Sequence, residues 1–151
     1  MIYTSNYKTM EHSDFKTISI SKDKGEDAGY KGDVFLELAP KRDFFKKWKA
    51  NKGIIPDIDN NKYYIEEFYN KVLKELDPKE TYKKLDGLIL LCYEDNMDFC
   101  HRHIVAGWFE LLLGVDIKEV TVINKKLIEV DKPRYIKEYL EELIRKEGRF
   151  K

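Results

Sequence analysis

The segment Cys92-Tyr93-Glu94-Asp95-Asn96-Met97-Asp98-Phe99-Cys100-His101-Arg102-His103 puts thiols, imidazoles, carboxylates and a guanidinium into one short stretch. Cys100 stands beside His101, Arg102 and His103, and basic neighbours favour thiolate over thiol. A thiolate with access to substrate is a nucleophile. Cys92 and Cys100 are therefore candidate nucleophiles, and Glu94 and His101 are candidate proton carriers. Arg102 offers a planar fork for a phosphate or carboxylate. His101 and His103, two residues apart, cannot share a helical face, so at most one points at the site. Cys92 facing Cys100 would also make a redox pair, although the spacing is not Cys-x-x-Cys. A zinc site from both cysteines and one histidine can be drawn. Its spacing fits no standard pattern and a fourth ligand is missing, so neither a metal nor another cofactor is expected. The competing reading is structural: free cysteine is among the most buried residue types, and Glu94 and Asp98 are solvated loop acids.

The elements that must position these groups follow from hydrophobic patterning. Leu88-Ile89-Leu90-Leu91-Cys92 is a continuous apolar run, as a strand buried on both faces of a parallel sheet requires. Tyr93 to Asp98 is a polar loop, and Phe99 to Leu113 reads as a helix apolar nearly all round, ended by Gly114. In open parallel sheets ligands bind where such strands end, and a helix N-terminus there suits anions. Elsewhere, Ile2-Tyr3-Thr4, Thr17 to Ser21, Glu119 to Ile123 and Leu127 to Val130 read as strands. Lys22 to Gly32, with three glycines among charges, reads as a loop. Helices are expected over Arg42–Asn51, over Lys62–Leu76 after a capping turn at Asp57–Asn61, from Asp77-Pro78 to Asp86, and after Asp131. Strands alternating with helices predict a single α/β domain with a mainly parallel sheet and helices on both faces. Leu88 to Ile123 forms a candidate βαβ unit. Adjacent parallel strands would bring Thr4 and Asn6, at the first strand's end, to the same edge as further ligand contacts.

Bulk properties bound the function. The chain has 151 residues, with 28 basic and 28 acidic side chains. That balance argues against a general nucleic-acid binder, which carries a basic excess. Two cysteines are too few for a secreted disulfide framework. The N-terminus shows no basic region followed by an apolar stretch, and the run from Ile104 to Val115 is too short to span a bilayer. A soluble cytoplasmic protein without a membrane partner is expected.

Leu90-Leu91-Cys92-Tyr93-Glu94 followed by Cys100-His101-Arg102-His103-Ile104 resembles the signature of the bacterial "domain of unknown function 488" family. That signature is a leucine-rich strand ending in Cys-x-Glu, a short loop, then Cys-His-Arg opening a helix. Ile2-Tyr3-Thr4-Ser5-Asn6 is similar to the family's first strand and turn, and Leu38-Ala39-Pro40 before a Phe/Trp-rich helix resembles some members. The chain departs from the pattern at Asn6, where glycine is usual, and in Lys22 to Gly32, which lacks an Asp-Val-Arg strand ending. The resemblance implies an α/β fold with the Cys-His-Arg cluster at the strand ends, and it implies no reaction.

Three functions fit these residues. The first is an enzyme acting on a nucleotide-like or other anionic small molecule, with Arg102 and the helix N-terminus holding the anion and a thiol attacking. The second is a binding module that sequesters such a ligand without turnover. The third is an interaction domain whose cluster knits the core, with Arg102 paired to Glu94 or Asp98.

Overall fold

Six strands and six α-helices run through residues 1–148, the part of the chain that the computed structural model describes. In chain order they are β1 (Tyr3–Asn6), α1 (Tyr7–Met10), β2 (Thr17–Ser19), β3 (Asp33–Val34), α2 (Arg42–Asn51), α3 (Asp57–Lys71), α4 (Pro78–Leu85), β4 (Ile89–Cys92), α5 (His101–Leu113), β5 (Lys118–Ile123), β6 (Lys126–Val130) and α6 (Arg134–Lys146). The strands make one sheet in the order β3-β2-β4-β1-β5-β6. Every neighbouring pair is parallel except the β5–β6 hairpin. This is the α/β architecture that the alternating pattern predicts.

β4 shows why. All four of its residues are buried. Leu90 joins the main core, while Ile89 and Leu91 join a second cluster with Tyr7, Met10 and Val120. A strand covered on both faces must be apolar on both, and this one is. The main core draws on α2 through α6, including Phe44, Tyr64, Phe68, Trp108 and Leu140. The second face is covered by α1 and by loop residues such as Phe15 and Tyr30. Helices thus lie on both faces, but very unequally.

Several boundaries differ from those expected of the sequence. Asp57–Asn61 is not a turn but the first stretch of α3, with Pro56 at the N-cap; Asp57 and Asp59 suit a helix start, where carboxylates meet the positive dipole end. α3 ends at Lys71, and Leu73–Glu75 is a separate 3₁₀ turn. α5 begins at His101, one residue beyond Cys100, which is its extended N-cap (φ −151°, ψ 145°). α6 begins after Pro133 rather than being capped by Asp131. β4 and β5 do not pair, because β1 lies between them; the β4–α5–β5 connection therefore crosses over a third strand. β3 and α1 have no counterpart among the elements expected of the sequence.

Candidate functional site

The sheet order brings the ends of β1, β2 and β4 to one edge, and α5 starts there. Asn6 lies opposite Cys92, and Ser19 opposite Leu91. Cys92 closes β4 and Cys100 caps α5, and the two are disulfide-bonded across the intervening loop, with Cα atoms 7.1 Å apart. His101, the first residue of α5, reaches back towards the sheet. Its Nδ1 lies 3.4 Å from Cys92 Sγ and its Nε2 lies 2.8 Å from the carbonyl oxygen of Ile20. A carbonyl only accepts, so Nε2 carries the proton and the Nδ1 lone pair faces sulfur. Cys92 Sγ, Cys100 Sγ and a His101 ring nitrogen all lie within 4.8 Å of one another, and all three residues are buried.

Burial pushes the His101 imidazole down to about 4; the Ile20 carbonyl offsets part of this, and the Arg102 charge adds to it. His103 is also held well below the usual range, by burial first and then by the Arg102 and Lys132 charges. Neither His103 ring nitrogen makes a hydrogen bond of good geometry, although the Asn96 backbone lies near enough to favour the protonated ring weakly.

Arg102 points elsewhere. It is fully buried and forks onto Glu119, which is also buried, with Nη2 2.7 Å from Oε2 and Nε 3.1 Å from Oε1. Nη2 also donates to the Glu94 carbonyl oxygen at 2.8 Å. Thr4 Oγ1 donates to Glu119 Oε1 at 2.6 Å, following the β1–β5 register that sets Thr4 beside Glu119. The structure thus joins Thr4 and Arg102 through Glu119, a residue that sequence reasoning did not single out. The signal was present: a carboxylate within an apolar, β-branched strand must find a partner when buried. Glu94 contributes its backbone to this network, while its side chain is exposed. Asn6 spends its side-chain oxygen on the amide of Thr9, capping α1.

Cys92, Cys100 and His101 line a small cavity of about 50 Å³ with Tyr93, Glu94, Trp48, Tyr64 and Phe99. A larger cleft of about 320 Å³ shares Trp48, Glu94 and Phe99 and adds Lys52, Asp57, Asn60, Asn61 and Asp98. The aromatic walls were legible in the sequence only as core. Tyr93 donates its hydroxyl to Asp23, and burial, then that bond, raises its pKa.

Fold and site together define a mainly parallel α/β domain with a cysteine–histidine cluster at the carboxyl edge of its sheet. Residues 2–112 match the family model described as "Active DUF488-N3 subclade", and the chain belongs to the DUF488 family. Searches of curated proteins and of solved structures return no match. Among the described residues, no helix is long and apolar enough to cross a membrane.

Proposed function

We propose that the chain is an enzyme whose chemistry is thiol-based, acting on a nucleotide-like small molecule at the carboxyl edge of the sheet. One observation carries this reading. The chain from Cys92 Sγ to His101 Nδ1, with His101 Nε2 held by the Ile20 carbonyl, has the order nucleophile, base, orienting group. The disulfide is then the resting form, opened by a low-molecular-weight thiol. Once opened, the Cys92 proton passes to His101 Nδ1 as sulfur bonds to an electrophilic carbon. The carbon's bond to the displaced group breaks and that group carries the proton away. Water entering past Glu94 on the cavity rim then cleaves the sulfur–carbon bond, its hydroxyl going to carbon and its proton back to the Cys92 sulfur. Burial holds the His101 ring neutral, so it is free to take the proton as the sulfur attacks. A low-molecular-weight disulfide then returns the Cys92 and Cys100 thiols to the resting disulfide and is itself reduced to two thiols.

The anion contacts expected from the sequence are reduced. Arg102 is committed to Glu119, which leaves the N-terminus of α5. The cleft sets Asp57, Glu94 and Asp98 against Lys52, so it favours the base of a nucleotide-like molecule over its phosphates. A second reading, a cluster that only knits the core, draws support from the buried Arg102–Glu119 pair and from the disulfide itself.

Alkylation tests the first reading without a known substrate. Reduced protein is treated with iodoacetamide and mapped by mass spectrometry. Cys92 should react at least about 10²-fold faster than in His101→Asn, the scale of a general base. Equal rates in the two proteins would sink the thiol mechanism and leave the structural reading.

A further inference from the structure

Two thiols and an imidazole within 4.8 Å of one another are also a metal-ligand set. The sequence spacing gave no zinc pattern because the ligands come from a strand end and a helix start, not from a short knuckle. We propose that, once reduced, Cys92 Sγ, Cys100 Sγ and His101 Nδ1 bind a zinc-class divalent ion as three protein ligands, leaving a fourth position for water.

Four features support the site. The donors are two sulfurs and one nitrogen, the borderline-soft set that zinc and its congeners take. The ring already has the orientation a ligand needs. Its Nε2–H is engaged by the Ile20 carbonyl at 2.8 Å, the outer-sphere bond that fixes tautomer and aim in histidine–metal sites. Two thiolates and a dication sum to zero charge, so the loaded centre can be buried where all three residues already are. The cavity of about 50 Å³ that these three residues line has room for a water, and Glu94 is on its wall.

The electron and proton balance is simple. A phosphine reductant and water break the sulfur–sulfur bond, giving phosphine oxide and two thiols. Metal binding then releases both thiol protons to solvent. The oxidised protein has no thiolate to offer, so the disulfide and the metal are alternative occupants of one position. With the ion bound, the sulfurs are ligands rather than nucleophiles.

The inference uses the same side chains as the proposed enzyme but does not depend on turnover. Its test is titration of the full chain with Co²⁺ after phosphine reduction under anaerobic conditions, with the oxidised protein as the internal control. The expected result is one equivalent bound, with thiolate-to-cobalt charge transfer and the intense visible bands of a four-coordinate ion, displaced by Zn²⁺. Oxidised protein should bind none. His101→Ala should weaken binding at least about 10-fold, and zinc loading should protect both cysteines from iodoacetamide. Failure of the reduced protein to bind Co²⁺ or Zn²⁺ more tightly than the oxidised protein would overturn the site. That outcome would leave the alkylation result, and the thiol reading, untouched.

Discussion

Arg102 and Glu119 form an ion pair in which each side chain is fully buried and each is the other's compensation. Glu119→Gln keeps the shape and the acceptor for Thr4 but strands the guanidinium. The expected loss is about 3–5 kcal/mol in urea denaturation, the usual cost of uncompensating one half of a buried pair. Replacing both, Arg102→Met with Glu119→Leu, should recover most of that loss. A single variant as stable as wild type would mean that water reaches the pair. The arginine was legible in the sequence and its partner was not. Nearness along the chain favoured Glu94 or Asp98. Parallel register beside β1 delivers Glu119 instead, and such register is not a local property of sequence. The same holds for His101: its type and position stood out, but the Ile20 carbonyl that orients it is invisible to any pattern of side chains.

At the scale of elements, short-range chemistry was readable wherever a residue type dictates a backbone state. Asp77 caps α4 by accepting from the amides of Lys79 and Glu80, with Pro78 following, as the sequence predicts. Asp77→Ala should cost about 1 kcal/mol, seen as a shifted urea midpoint with unchanged slope; no shift would mean that solvent replaces the cap fully. The start of α3 was not legible because Pro56, not a side-chain cap, opens it. β3 and α1 are too short for any periodicity to show. The loop between β4 and α5 is an element of another kind, tied at both ends by cysteines with a sequence separation of 8. Closing so short a loop restricts the unfolded chain modestly, so reduction should lower stability by about 2.5 kcal/mol. Denaturation with and without phosphine reads this directly. A Cys92→Ser, Cys100→Ser double variant as stable as the oxidised protein would show that packing alone holds the loop.

The whole molecule carries balanced charge, with 28 basic and 28 acidic residues, so its pH response turns on the few groups that burial has moved. Apolar patterning made the layered α/β arrangement legible, but not the crossing of β1 between β4 and β5, nor the burial of two histidines at the sheet edge. Those histidines set the acid limit. Both His101 and His103 are held neutral in the fold, by burial first. A base whose folded pKa is depressed contributes stability that is present above its unfolded pKa, near 6.5. The unfolded chain takes up protons below that value while the folded chain does not, so stability falls as pH falls. For His101, near 4 in the fold, the contribution lost between pH 7 and pH 4 is roughly 3 kcal/mol at 1.4 kcal/mol per unit. His103 adds to it with the same sign. Urea denaturation of the oxidised, metal-free protein at pH 7, 6 and 5 should therefore show a progressive decline. His103→Leu sharpens the test: it removes a buried ring that makes no good hydrogen bond, so the variant should be at least as stable as wild type at pH 7 and more stable at pH 5. A flat wild-type profile from pH 7 to pH 5 would mean that both rings protonate freely in the fold.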